Sequence, residues 1–231
     1  MSYAQLPRTH YPTILALFVA TLIISNVAAS KGVQFFADAT LTLGPLQVLP
    51  INTDGAFFLF PLAYVLGDVL SEVYGFRAAR RAVITGFGAL ALTTLSFLVV
   101  IALPAADFYE NQSALESVIG VVPRLVLAGF AGYLFGQLLN SAVLVWIKNR
   151  WGEERLWVRL LGSTVVGELA DTLIFCSIAA GAIGIATAAD FVNYVVVGFL
   201  WKTIVEVLVM PVTYQVIKVL KRSEPGYTPA A

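Results

Sequence analysis

The chain has one cysteine, Cys176, and one histidine, His10. A lone thiol in an apolar stretch excludes a disulfide framework and a Cys/His metal cluster, and Cys176 is expected as a small buried side chain. A lone histidine ahead of the first apolar run excludes serine or cysteine hydrolase chemistry with a histidine base. Charge is scarce too: 12% of the 231 residues are charged and the formal net charge is +0. No basic field exists for nucleic acid, which is not expected as a partner. No pattern calls for a cofactor or a metal.

What the chain does have is apolar surface. It is 59% hydrophobic, with a mean hydropathy of +0.85, so membrane lipid is the expected main solvent. About 20 apolar residues cross a bilayer as a helix. Six segments reach that length: Pro12 to Ser30, Phe57 to Tyr74, Ala82 to Leu103, Leu125 to Ile147, Leu160 to Ile183 and Val192 to Lys218. Lipid offers backbone groups no partners, so the expectation is an all-α integral membrane protein of six transmembrane helices. Residues 1–231 form a single transmembrane transporter domain in this reading. The first segment lacks a basic leader and a small-residue cleavage site, and reads as a retained helix. The tail 223–231, with Pro225, Gly226 and Pro229, reads as a disordered end.

Loop charges set the orientation, because Lys and Arg stay on the cytoplasmic side. Arg8, Arg77, Arg80, Arg81, Lys148, Arg150, Arg155, Arg159, Lys218, Lys221 and Arg222 fall on one side of the six-helix layout. Lys31 and Arg124 fall on the other, with Asp38, Asp54, Asp107, Glu110, Glu116 and Asp190. Both termini are therefore expected in the cytoplasm. Trp146, Trp151 and Trp157 would anchor the inner interface, and Tyr109 and Tyr194 the outer. The external link from Lys31 to Gly55 carries an apolar run with Gly44, Pro45 and Pro50, consistent with a hairpin or a re-entrant lid.

Charges inside the spans are the informative feature. Asp68, Glu72, Glu168, Asp171 and Glu206 accompany Lys202, and each costs roughly 2.5 to 3.5 kcal/mol at the hydrocarbon centre. Such a group of residues implies a shared polar cavity, hence a transporter. Phe57, Tyr64, Asp68 and Glu72 share one helical stripe, as do Glu168, Asp171 and Phe175. Gln137 and Asn140 on the fourth span are either ligands or interhelical glue. Lys202 and Glu206, at i and i+4, are expected to neutralise each other, and Glu72 to anchor a helix end or gate. Gly129, Gly132 and Gly136, like Ala16 and Ala20, are expected to allow close helix packing. Gly67 to Glu72 is echoed by Gly167 to Thr172, and Ser25-Asn26 by Asn140-Ser141. Three helices per half would make such a repeat an inverted one.

The run Gly67-Asp68-Val69-Leu70-Ser71-Glu72-Val73-Tyr74-Gly75-Phe76-Arg77 resembles the signature of the queuosine precursor transporter family, once grouped with vitamin uptake transporters. Ile24-Ser25-Asn26, Arg159 to Thr164 leading to Glu168, and Lys202 through Glu206 to Pro211 extend the likeness over most of the chain. The resemblance implies a six-helix, multi-pass protein of the bacterial inner membrane. It would take up 7-cyano-7-deazaguanine or 7-aminomethyl-7-deazaguanine, precursors of a modified tRNA base. Glu168 or Asp68 would then accept from the guanine-like donor edge, and Asn26, Gln137 or Asn140 would meet the carbonyl and ring nitrogens. Phe57, Tyr64 or Phe175 would stack on the ring, and a second carboxylate would hold the aminomethyl ammonium. The partners expected are this purine-like molecule and lipid, with a homo-oligomer as an option.

Two other readings share these residues. Ala16-Leu17-Phe18-Val19-Ala20 resembles the docking motif of substrate-binding subunits in energy-coupling factor systems, which need an ATPase module. An intramembrane aspartyl protease would use Asp68 and Asp171 as a pair, but Val65 stands where that motif needs glycine.

Overall fold

A computed structural model describes residues 8–44, 46–151, 156–225 and 227. In chain order the elements are α1 (Tyr11–Ala28), β1 (Gly32–Phe35), β2 (Leu41–Leu43), β3 (Leu46–Leu49), β4 (Ile51–Asp54), α2 (Phe60–Ala102), α3 (Gln112–Ile119), α4 (Val122–Trp151), α5 (Leu156–Ala179) and α6 (Ala188–Ser223). Prolines sit at the starts of α1 and α2, where the missing N–H costs nothing. The Thr187 hydroxyl caps α6 by accepting from the Asp190 N–H at 3.1 Å. Among the described residues, five helices are long and apolar enough to cross a membrane. Large apolar side chains such as Leu92, Leu95, Leu127 and Leu208 lie on the outside, as lipid-facing positions require.

The expected second and third spans belong to one element. α2 has 43 residues, or roughly 64 Å of helix, about twice the ~30 Å hydrocarbon core. It is interrupted at Gly75, whose φ of 79° and ψ of 169° are non-helical and almost exclusive to glycine. Both arms lie along α1. A Cβ on Gly55, just before the first arm, would meet Ala28 O at 2.4 Å, while Tyr74 packs edge-on against Tyr11, so this arm runs antiparallel to α1. In the second arm, Ala78 O accepts from the Tyr11 hydroxyl and Gly86 abuts Phe18 and Leu22, so it runs parallel to α1. The chain therefore reverses at Gly75. Ile14, Phe18, Leu66, Val69, Leu70 and Ala82 close the core between these three pieces, joined by Ile217 of α6.

Two ends follow. The near end gathers His10, Tyr74 and Glu224, because Glu224 Oε2 accepts from the His10 N–H (3.1 Å) and the Tyr74 hydroxyl (2.8 Å). Ser223 closes α6 there, and residues 228–231 lie outside the described residues. At the far end Arg124 Nε donates to Ile178 O at 2.6 Å, tying the start of α4 to the end of α5. That end carries Lys31 and Arg124, while Lys221 and Arg222 sit at the near end, matching the charge asymmetry of the sequence.

The far end also departs from an all-helical expectation. Residues 32–54 form two nested antiparallel pairs, β1 with β4 (Gly32 opposite Asp54) and β2 with β3 (Leu43 opposite Leu46). The hairpin alternative is the one observed. Backbone polar groups here pair within the ladders, which is permissible outside the hydrocarbon. The short helix α3 was not anticipated, since eight residues give too little periodicity to detect.

Close packing depends on particular glycines. A Cβ on Gly132 would stand 2.6 Å from Asp171 Oδ1, and one on Gly136 would stand 2.9 Å from Gly167 O. These two positions let α4 and α5 meet as expected. Gly129 has nothing within 4 Å of such a Cβ. Ala16 and Ala20 lie on the exposed face of α1. Ala16 and Ala20 are turned outward by helical phase, whereas Gly129 shares the face of Gly132 and Gly136 and meets open space there.

Candidate functional site

Polar side chains occur at three levels along α6. At the far end, Asn193 is 2% exposed and bridges both strand pairs: its Oδ1 accepts from the Asn52 N–H at 2.8 Å and its Nδ2 donates to Gln47 O at 2.7 Å. Asn52 Nδ2 donates to Asp190 Oδ1, and Gln34 Nε2 donates to Asn52 Oδ1. Beside them Asp54, also buried, accepts from the Tyr194 hydroxyl at 2.6 Å and from the Ala56 N–H at 2.9 Å. Burial pushes the Asp54 carboxyl above the usual carboxylate range, against the lowering effects of these two donors and of Lys202. Tyr194 was expected at the lipid interface. Its ring is buried and its hydroxyl committed to Asp54, a contact invisible in sequence because 140 residues separate the two.

About two turns further along α6, Lys202 Nζ lies 2.6 Å from Asp171 Oδ2. The ammonium thus reaches across to α5; the side chain of Glu206, the partner expected on its own helix, lies outside the described residues. An interhelical carboxylate can approach the amine end-on, and Gly132 and Gly136 leave room for Asp171 to do so. Thr203 Oγ1 lies 3.4 Å from Glu168 Oε2, a long contact, while bonding its own helix at Phe199 O. Thr172, one turn beyond Glu168, is buried, and its hydroxyl has no hydrogen-bond partner among the described residues. Above this level Trp201 Nε1 donates to Phe57 O at 2.9 Å, and Phe57 packs with Trp201, Phe35 and Phe58.

Near the other end, the first arm of α2 and the last turns of α6 enclose a cleft of about 930 Å³. Asp68, Ser71 and Glu72 face Thr213, Tyr214, Lys218 and Lys221 across it. Glu72 Oε1 accepts from Lys221 Nζ at 2.5 Å. The volume falls in the range of small-molecule sites, roughly 300 to 1,000 Å³.

The expected site residues divide accordingly. Asp68 and Glu72 line the cleft, whereas Glu168 and Asp171 meet Lys202 and Thr203. Thr213 lies eleven residues beyond Lys202, which is roughly 16 Å along the helix. The two acidic groups therefore meet α6 at different levels, Asp171 at Lys202 and Glu72 at Lys221. Asn26 turns its amide back to Leu22 O at 2.9 Å, and Phe175 packs among Ala56, Leu125 and Ala179. The side chains of Tyr64, Gln137, Asn140 and Glu206 lie outside the described residues. Sequence reasoning missed Asn193, Asp54 and Thr172. Only Thr172 carried a signal, as the last position of the Gly167 to Thr172 echo.

A family model described as "Putative vitamin uptake transporter" matches residues 54–216. A "Probable queuosine precursor transporter" of Bacillus subtilis (strain 168) is 30% identical over 203 residues, covering 87% of this chain and 82% of the relative. A "Queuosine precursor transporter" of Escherichia coli (strain K12) is 27% identical over 135 residues, 58% of each chain. A third relative, from Haemophilus influenzae, is 27% identical over 157 residues and bears the same name as the first. No solved structure matches the chain.

Proposed function

The chain belongs to this vitamin uptake transporter family as a multi-pass bacterial membrane protein, and from that premise we propose that it imports 7-cyano-7-deazaguanine or 7-aminomethyl-7-deazaguanine. The observation that carries the proposal is the group of charged and hydroxyl side chains between α5 and α6, where Lys202, Asp171, Glu168 and Thr203 meet inside helices otherwise apolar. Charges so placed are costly in lipid and mark a solute path.

In this reading the chain acts as one transporter domain and crosses the membrane six times, with the reversal at Gly75 making two crossings of α2. The near end faces the cytoplasm, supported by Arg77, Lys218, Lys221 and Arg222 around it. The echo of Gly67 to Glu72 in Gly167 to Thr172 supports a 3+3 inverted repeat whose halves rock about the middle. Glu168 accepts from the donor edge of the deazaguanine, the Thr172 hydroxyl meets a ring acceptor, and the Phe57–Trp201 wall stacks on the ring. Asp171 is held by Lys202 until an aminomethyl ammonium competes for it. Asp68 and Glu72 line the path to the cytoplasm. Entry is facilitated, with metabolic trapping drawing the substrate in.

Thermal stabilisation of the detergent-purified protein should be measured with both deazaguanines, guanine, biotin and riboflavin. Stabilisation by a vitamin and by neither deazaguanine would reverse the assignment. A substrate-binding subunit of an energy-coupling factor system would instead need a separate ATPase module. Uptake into liposomes holding this protein alone would exclude that reading.

A further inference from the structure

We propose that the segment Gly32–Asp54 is the external gate of the transporter, latched to the start of α6 by Asn193 and Tyr194. The structure is then the conformer closed outside and open inside. This rests on the transport reading above.

The gate argument begins with connectivity. The segment joins α1 to α2 and so belongs to the first half of the chain, yet its polar bonds go to α6 in the second half. Asn193 holds β3 through Gln47 O and β4 through the Asn52 N–H, Asp190 holds the Asn52 amide, and Tyr194 holds Asp54. Any rocking of one half against the other must break this set or carry the segment along. The stems are arranged differently: Gly55 abuts Ala28 O of the first half and Gly32 abuts Ile183 O of the second. The segment therefore straddles the line where the halves would part. Its bonds to α6 are side-chain bonds at the membrane surface, which water can replace when they open.

The opposite end shows the complementary arrangement. There the first arm of α2 and the end of α6 flank the 930 Å³ cleft and are joined beside it by Ile217 in the core and by the side-chain bonds Glu72–Lys221 and Tyr74–Glu224. A seal of buried polar bonds at one end, and at the other a cleft edged by exposed side-chain bonds, fit one side of an alternating-access cycle.

Cys176 provides a native reporter. It is the only cysteine, it is 2% exposed, and it lies one turn beyond Thr172 on α5, as Tyr194 lies one turn before Gly198 on α6, with Thr172 and Gly198 marking a close approach of the two helices. Right-side-out membrane vesicles containing the protein would be treated with a membrane-impermeant methanethiosulfonate, and labelling of Cys176 followed with time. Removing one latch bond by Asn193→Ala or Tyr194→Phe should raise the labelling rate about five- to tenfold. Cys176→Ser should abolish the signal. Tyr194→Phe keeps the ring and deletes one oxygen, so it preserves the test if Asn193→Ala does not fold. Wild-type labelling rates in the folded variants overturn the gate. Deazaguanine uptake by the same vesicles is read in parallel: uptake with unchanged labelling sinks the gate alone, and faster labelling without wild-type uptake supports a latch while sinking the transport reading.

Discussion

Lys202 of α6 reaches across to Asp171 of α5 with its amine 2.6 Å from the carboxylate, where Gly132 and Gly136 let α4 pack against the same aspartate. Three helices thus depend on one ion pair. Removing Lys202 leaves the Asp171 carboxylate partly out of water without this cation, a loss that reaches ~3–5 kcal/mol when burial is complete. Asp171 keeps 28% of its side chain exposed, so Lys202→Met or Asp171→Asn should each cost about 2 kcal/mol. The double substitution should cost less than the sum. Thermal midpoints in detergent for the four proteins give the coupling, and strict additivity would show that the pair contributes nothing.

The glycines of α4 should respond unequally to alanine. Gly132→Ala and Gly136→Ala push a methyl into Asp171 and the Gly167 carbonyl, with an expected loss of ~1–3 kcal/mol. Gly129→Ala meets open space and should be neutral or stabilising by up to about 1 kcal/mol, from helix propensity alone. Equal effects at all three would refute the packing account.

Gly75 should tolerate no side chain although nothing crowds it. The cost lies in the backbone: any L residue at φ 79° and ψ 169° is strained by ~1–3 kcal/mol. Alanine and leucine should therefore be similarly harmful here, while Gly88→Ala, in regular helix with open space, should not be. The comparison is made by thermal unfolding.

Acidity should favour the closed far end. A carboxyl with a folded pKa above its unfolded value holds its proton more tightly when folded, so the stability it contributes is present below the unfolded value, near 3.9, and is lost as pH rises through the folded one. Burial places Asp54 in this class, with Tyr194, Ala56 and the more distant Lys202 opposing. Asp54→Asn should flatten that part of the pH profile of thermal stability. An unchanged slope in the variant would assign the dependence to another group.

Substrate choice should separate the carboxylates. The nitrile precursor lacks the ammonium of the amine, so Asp171→Asn should reduce uptake of 7-aminomethyl-7-deazaguanine more than that of 7-cyano-7-deazaguanine, whereas Glu168→Gln should impair both. Competition uptake measures the ratio, and equal losses for Asp171→Asn would refute this division of roles.

The membrane setting, the helical spans and the charge asymmetry were legible in the residues because each depends on a one-dimensional property: the length of an apolar run or the position of a basic loop. The intramembrane acids were legible for the same reason, since any carboxylate within such a run stands out. Partnerships were not. Spacing along one helix can suggest a partner for Lys202 only within α6; the bond to Asp171 depends on how closely α4, α5 and α6 pack. Asp54 and Tyr194 looked like unrelated surface residues, and Asp68 and Glu168 looked like neighbours in one recess.

Sequence by itself determined that this chain is a helical membrane protein with charges it must put to use, because hydrophobic length and buried charge are properties of the residues alone. Only tertiary structure decided that α2 reverses at Gly75, that the two acidic groups occupy different levels of α6, and that strands cover one end. Those outcomes depend on backbone handedness at a single glycine and on contacts between residues as far apart as Asp54 and Tyr194, which packing brings together and linear order does not reveal.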